Sequence, residues 1–135
     1  MKRIFRCLPV TAVILLASCL PAAPLHNSIN QPGVRLDLKA HLAAGKINVI
    51  HFYADWCPAC RNWKPTLDAI NAQFPDMRVL FVNIGEFDSP VAQQYGITSV
   101  PQFQIVSKRG QLLARGKAAE GWLRKEIDRR VGNRR

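Results

Sequence analysis

The spacing of apolar residues differs from one stretch of this chain to the next. Residues 47–53 are a near-continuous apolar run, which is typical of a central strand covered on both faces. Residues 77–84 predict a second strand. Two further runs, residues 102–107 and 111–115, predict an antiparallel hairpin because Lys108-Arg109-Gly110 lies between them. Since strands and helical stretches alternate, the pattern predicts an α/β fold.

Helical stretches are predicted around and between these strands. Residues 37–44 and residues 90–95 predict two short helices, because a glycine follows each of them. A longer helix is predicted over residues 57–74, and Pro65 inside it predicts a kink because proline removes one helical hydrogen bond. The last predicted helix, residues 118–131, should turn its apolar side chains towards the sheet. These are Trp122, Leu123, Ile127 and Val131.

Two cysteines stand at the junction of a predicted strand and a predicted helix. At a helix start, the sulfur of Cys57 lies over unpaired N–H groups and the positive end of the helix dipole, which favour the thiolate. Cys60 lies on the same side of the first turn, so the two sulfurs can form a disulfide. Between them, Pro58 suits the first helical position and Ala59 completes the motif. The spacing predicts a redox-active dithiol, with Cys57 as the nucleophile and Cys60 as the resolving thiol.

Other roles for the cysteine pair fit the sequence less well. A zinc site needs two more ligands, and no second pair of Cys or His residues occurs at a similar spacing, so no metal is expected. Haem attachment needs a histidine directly after Cys60, where Arg61 stands instead. A purely structural disulfide is possible, but so short a loop constrains the unfolded chain little.

The N-terminus has the composition of an export signal. Lys2, Arg3 and Arg6 precede an apolar stretch over residues 8–20, which is too short for a lasting membrane span. Within it, Leu16-Ala17-Ser18-Cys19 resembles the bacterial lipobox, in which cleavage before the cysteine leaves its thiol to be lipid-modified. The sequence therefore predicts a lipoprotein that is anchored to a bacterial membrane through Cys19 and faces the periplasm.

The cleavage site sets the expected domain organisation. Cleavage before Cys19 makes residues 1–18 a signal peptide, residues 19–35 a tether without a sustained apolar period, and residues 36–135 a single domain. Ordinary cleavage after Ala23 is the alternative, although the residue after the cut would then be a proline, which signal peptidases accept poorly.

Basic residues outnumber acidic ones. The chain carries a net charge of +10 from 19 basic and nine acidic side chains, and removal of residues 1–18 takes away three basic residues and leaves +7. Ten of the remaining basic residues follow Ser107. A solvated helix face and contact with anionic lipid headgroups would each account for them. No nucleic-acid-binding motif accompanies the charge, so nucleic acid is not an expected partner.

Several short motifs follow one another along the chain. They are Tyr53-Ala54-Asp55-Trp56-Cys57-Pro58-Ala59-Cys60, Pro65 with Leu67 and Ile70, Val82-Asn83-Ile84, Tyr95-Gly96-Ile97-Thr98-Ser99-Val100-Pro101, and Gly110 in the hairpin. In this order, between about residues 36 and 131, they resemble the thioredoxin family. The resemblance implies a three-layer fold with a central mixed sheet flanked by helices. The motif around the cysteine pair is also similar to that of the periplasmic domain of bacterial transmembrane thiol reductases.

The resemblance assigns roles to residues around the dithiol. It implies that the bond before Pro101 is cis, and that the proline faces the cysteine pair so that the backbone of Val100 can pair with an extended substrate strand. It also implies that Trp56 borders the site. The alternatives are an ordinary trans proline at a strand start and a large apolar side chain at a strand end.

Two positions depart from the family pattern. Many thioredoxins have a buried aspartate beneath the site that exchanges a proton with the resolving thiol, and this chain has His51 there. The lysine that often accompanies this aspartate is replaced by Phe81. His51 would relay the proton, given its ordinary pKa near 6.5, or would be a core histidine.

The motifs together predict a thiol:disulfide oxidoreductase that acts on protein disulfides outside the cytoplasm. It needs no cofactor, because its electrons come from an upstream partner dithiol. Reduction is the favoured direction, because strong oxidants of this fold tend to have histidine where this chain has Ala59. The alternatives are a disulfide oxidase of the same fold, and a non-catalytic dithiol module or metallochaperone.

Overall fold

Four strands form one mixed sheet in the computed structural model, which describes residues 24–133. Across the sheet the second strand is followed by the first, the third and the fourth. The first two strands are parallel, and the other two neighbouring pairs are antiparallel. The predicted strands agree with the observed bounds to within one residue, and the mixed sheet is confirmed. The strands are β1 (Ile47–Tyr53), β2 (Met77–Asn83), β3 (Gln102–Val106) and β4 (Leu112–Arg115).

Three α-helices of the described part of the chain flank the sheet: α1 (Pro58–Gln73), α2 (Pro90–Tyr95) and α3 (Gly116–Gly132). Helix α2 has its predicted bounds, because Ser89 caps its start and Gly96 ends it in a left-handed conformation. Helix α3 begins two residues before the predicted start. The helices therefore flank a mixed sheet, which confirms the predicted α/β fold.

The short helix predicted over residues 37–44 is only a 3₁₀ turn, Leu38–His41. The Asp37 carboxylate accepts the N–H of Lys39 and starts the turn. Beyond the turn, the Asn48 side chain accepts the N–H of Ala43 and donates to the Ala43 carbonyl. These side-chain bonds satisfy the backbone groups that a longer helix would have paired, so the helix stops early.

The core is built around β1, in which every residue after Ile47 is buried. Of the four side chains of α3 predicted to face the sheet, Leu123 is fully buried and Trp122 and Ile127 are partly buried against the core. The prediction for Val131 is wrong, because this side chain is 45% exposed. Val131 lies in the last turn of α3, where it lines a shallow groove beside α1 instead of packing on the sheet.

The sequence predicted a tether over residues 19–35. In the structure, residues 25–33 of this stretch are instead bound to the domain. They lie along the edge of the sheet, where Ile29 N–H donates to the carbonyl of Phe81 at 2.9 Å and Gly33 N–H to that of Asn83 at 3.0 Å. We call residues 25–33 the docked segment. Its docking uses backbone hydrogen bonds, the buried ring of His26 and the partly buried side chains of Leu25 and Ile29. These apolar side chains are too few and too irregularly spaced to form an apolar period in the sequence.

The C-terminal helix is attached to the start of β2 by an ion-pair network. The Arg130 guanidinium donates to both carboxylate oxygens of Asp76, at 2.6 and 2.9 Å, and to Glu126 at 2.6 Å. The same guanidinium lies 5.1 Å from the centre of the Phe74 ring. Hydrogen bonding to Arg130 lowers the pKa of Asp76 to about 2.

The expected signal peptide and the lipid-modified Cys19 lie outside the described residues. Within residues 24–133, no helix has the length and apolar character needed to cross a membrane.

Candidate redox site

Cys57 and Cys60 lie at the start of α1 and form a disulfide, with their Cα atoms 5.4 Å apart. Cys57 is the N-cap residue, with extended backbone angles, and Pro58 is the first residue of the helix, as predicted. The N–H of Cys60 donates to the sulfur of Cys57 at 3.2 Å. Cys57 is 3% exposed and Cys60 fully buried, whereas Pro58 and Ala59 are exposed.

This geometry gives the two sulfurs different chemistry. After reduction, the sulfur of Cys57 would keep a backbone N–H donor and the positive end of α1 beside it, and both favour the thiolate. Cys60 lies one turn into the helix and has no exposed surface, so an incoming disulfide meets Cys57 first. The arrangement suits attack by Cys57 and resolution by Cys60.

Trp56 stands directly before Cys57 in the chain and is not a core residue. Its side chain is 46% exposed, and its indole Nε1–H donates to the carbonyl of Gly85 at 2.7 Å. The exposed ring of Phe87 packs on it edge to face, with the ring centroids 5.5 Å apart. Phe87 extends the aromatic surface beside Cys57, and the sequence motifs did not predict this contact.

The bond between Val100 and Pro101 is cis, as the resemblance implied. Pro101 and Ala59 line one groove, which places the proline at the same end of the molecule as the dithiol. Trp63 and Arg124 line this groove as well, and the Arg124 guanidinium lies 4.5 Å from the centre of the Trp63 ring.

Asp55 and Asn83 form a polar centre beside the site that the sequence analysis missed. The Asp55 carboxylate accepts the N–H of Leu25 at 2.9 Å through one oxygen and the Asn83 side-chain amide at 2.8 Å through the other. The Asn83 side-chain oxygen accepts the N–H of Gly85 at 2.9 Å. Both residues occur in the quoted motifs, but only the fold brings them together, so spacing alone carried no signal.

His51 lies in β1 beneath an aromatic cluster, together with a histidine that the sequence analysis did not single out. His26 of the docked segment packs edge to face on His51, with ring centroids 5.4 Å apart. Phe81 stacks on His26 at 4.0 Å, and Phe103 stacks on His51 at 4.8 Å. Phe81 therefore packs against a histidine where the family often has a lysine.

Both histidines are neutral at neutral pH. Within residues 24–133, their four ring nitrogens lack hydrogen-bond partners, and both side chains are buried. Burial lowers the pKa of His51 to about 3 and that of His26 to about 4. A proton relay through His51 stays a prediction, and the low pKa opposes it because the imidazole holds a proton poorly. Among the described residues, no group of three or more His, Cys, Asp or Glu side chains could hold a metal ion.

The sheet, the cysteine pair at a helix start and the cis-proline loop define a thioredoxin-fold protein with a redox-active dithiol. Comparison with known sequences agrees with this class. The family model described as Thioredoxin matches residues 36–129, and the chain belongs to the thioredoxin family.

Individual relatives are similar over most of this domain. Mitochondrial thioredoxin-2 of Schizosaccharomyces pombe is 34% identical over 79 residues, which cover 58% of each chain. Thioredoxin of Chlamydia trachomatis is 33% identical over 91 residues, which cover 67% of this chain and 72% of that one. The X-ray structure of Fasciola hepatica thioredoxin matches with a TM-score of 0.50 and 30% identity, over 64% of this chain and 82% of that one.

The matched length is limited in several relatives. This chain spans 58%, 42% and 49% of three of the curated relatives that it matches, which is about half of their length.

Proposed function

We propose that this protein is a thiol:disulfide oxidoreductase that reduces protein disulfides outside the cytoplasm. The observation that carries the proposal is the position of Cys57, whose sulfur caps α1 and accepts the N–H of Cys60. A sulfur in this position is activated as a thiolate, and a second thiol one turn away can resolve the mixed disulfide. Family membership and the cis-proline loop support the same activity.

The reaction transfers two electrons from the protein dithiol to a substrate disulfide. The Cys57 thiolate attacks one substrate sulfur, which forms a mixed disulfide and releases the first substrate thiolate. Cys60 loses its proton and attacks the sulfur of Cys57, which forms the Cys57–Cys60 disulfide and releases the second substrate thiolate. A partner dithiol then reduces the protein disulfide by the same two exchanges in reverse. The chemistry needs no cofactor.

The reduction potential of the cysteine pair tests the direction. We expect a value near −270 mV or lower, determined by equilibration with glutathione or dithiothreitol, and fast reduction of insulin disulfides by the reduced protein. A potential near −120 mV would instead indicate an oxidase. Cys57→Ser serves as the control for turnover that does not pass through the dithiol.

A binding module is the alternative from another class. The cysteine pair alone could hold a soft ion such as Cu(I). Stoichiometric binding of Cu(I) by the reduced protein, without turnover of insulin disulfides, would replace the enzyme with a metallochaperone or adaptor.

The proposal includes a location, which rests on the N-terminal sequence. Three basic residues, an apolar stretch over residues 8–20 and the Leu16-Ala17-Ser18-Cys19 motif support export and lipidation at Cys19. Such a protein is lipid-anchored to a bacterial membrane and faces the periplasm.

Mass spectrometry of the mature protein, expressed in a bacterium with two membranes, tests this location. We expect an N-terminal Cys19 that carries a diacylglyceryl group, and loss of that mass in Cys19→Ala. An unmodified N-terminus at Pro24 or further along would establish a soluble exported protein instead.

A further inference from the structure

The docked segment lies outside the part of the chain that matches the family, which begins at residue 36. Its first contact is beside the redox site, where the N–H of Leu25 donates to the Asp55 carboxylate two residues before Cys57. Backbone bonds from Ile29 and Gly33 then follow the edge of β2. The segment therefore runs from the redox loop along the neighbouring strand.

Asn30 fixes the segment to the end of β2. Its side-chain oxygen accepts the N–H of Asn83 at 2.9 Å, and its side-chain amide donates to the carbonyls of Asn83 and Val34, both at 3.0 Å. The side chain thus satisfies both backbone groups of Asn83, as a paired strand would do. By contrast, Asn27 is exposed on the same segment and forms no hydrogen bond within the described residues.

A continuous set of hydrogen bonds connects Asn83 to the residue before Cys57. The Asn83 side chain donates to Asp55 and accepts the N–H of Gly85, and the carbonyl of Gly85 accepts the indole N–H of Trp56. The docked segment holds this set at two points, through Leu25 at Asp55 and through Asn30 at Asn83. None of these hydrogen bonds includes an atom of Cys57 or Cys60, so the chemistry of the cysteines does not account for them.

We propose that the docked segment is a positioning element of the redox site, which acts through Asp55 and Asn83 to fix the loop that carries Trp56 and Cys57. The proposal rests on the proposed oxidoreductase activity. Attack on a disulfide needs the attacking sulfur in line with the bond that breaks, so a loop held in one conformation raises the fraction of productive encounters. A half-buried carboxylate that loses one of its two donors no longer holds the loop in this way.

Two pairs of substitutions in the full chain test the proposal. Leu25→Pro removes the N–H that reaches Asp55, and Leu25→Ala is its matched control because it keeps that donor. Asn30→Ala removes the bonds to Asn83, and Asn27→Ala is its control at an exposed position of the same segment. A core substitution away from the segment, Ile70→Val, controls for loss of stability without loss of these contacts.

Two measurements are made on each variant. The first is the second-order rate constant for reduction of insulin disulfides. The second is the nuclear magnetic resonance signal of the Trp56 indole N–H, assigned with Trp56→Phe, which reports its hydrogen bond to Gly85. A segment that only covers the sheet would change stability but neither of these readouts.

We expect Leu25→Pro and Asn30→Ala to lower the rate constant about tenfold and to speed solvent exchange of the Trp56 indole proton. The two controls and Ile70→Val should match the wild-type protein in both readouts. Wild-type rates and an unchanged indole signal in both test variants would overturn the proposal. If wild-type protein fails to reduce insulin, the proposed function is wrong, and the indole signal still decides whether the segment positions the loop.

Discussion

Cys57 and Cys60 differ in their position relative to the start of α1, and we expect their substitutions to have different effects. Cys57→Ser should abolish disulfide reduction, because the thiolate at the helix start is lost. Cys60→Ala should accumulate mixed disulfides with substrate proteins, because nothing resolves them. Gel electrophoresis without reductant separates the adducts. Stable adducts through Cys60 in Cys57→Ser, with none through Cys57 in Cys60→Ala, would reverse the assignment.

His51→Phe tests the proton relay. A thiol has an ordinary pKa near 8.5, so proton transfer to an imidazole with a pKa of about 3 is strongly uphill. We therefore expect both the formation and the resolution of the mixed disulfide to keep their wild-type rates between pH 6 and 9, measured by stopped flow. The fold should become more stable by about 1 kcal/mol, because two unpaired nitrogens leave the core. Slower resolution with normal formation would restore the relay.

The buried histidines also predict how stability depends on pH. The pKa of each is lower in the folded protein than the ordinary value of 6.5, so between about pH 4 and 6.5 the unfolded chain binds protons that the folded protein does not. The free energy of unfolding should therefore fall as pH falls through this window, by up to about 1.4 kcal/mol per pH unit for each histidine.

Urea unfolding at several pH values between 5 and 7 measures this slope. His26→Phe should reduce the slope by about half, because one of the two buried imidazoles is removed. His41→Gln is the control for loss of an exposed histidine. An unchanged slope in His26→Phe would show that the docked segment does not bury its histidine in solution.

At the scale of elements, the attachment of α3 to β2 depends on Arg130. This side chain is 15% exposed and pairs with Asp76 and Glu126. Arg130→Met should lower the free energy of unfolding by about 1–2 kcal/mol, a value reduced for the solvent exposure of Asp76. The control is Asp68→Asn, which breaks the exposed pair with Lys64 and should cost less than about 0.5 kcal/mol. Equal effects in urea unfolding would show that Arg130 contributes no more than a surface pair.

Most elements could be predicted because their signals are local. An apolar run predicted β1, and Gly96 predicted the end of α2. The length of the 3₁₀ turn could not be predicted from its own residues. Asn48, whose side chain bonds to Ala43 and ends the turn, lies four residues beyond the predicted end of the helix at Ala44. Prediction of Val131 as a buried residue failed because helical periodicity does not show where the sheet beneath a helix ends.

At the scale of the whole molecule, the cysteine pair and the cis proline could be predicted from motifs, but their supporting contacts could not. Asp55 and Asn83 are 28 residues apart, and Asn30 reaches Asn83 across 53 residues. Polar contacts over such separations leave no periodic pattern. His26 is the clearest case, because a lone histidine in a polar segment gave no reason to expect it in the core beside His51.

If Cys19 carries the proposed lipid, docking of residues 25–33 also limits how far the domain can move from the membrane. With Leu25 held at Asp55, only six peptide steps separate it from Cys19, and fully extended they span about 20 Å. A lipid on Cys19 would therefore keep the dithiol within a few nanometres of the headgroups. Proteins in the same bilayer would reach it by lateral diffusion at a high effective concentration, whereas dissolved proteins would have to approach the membrane surface first.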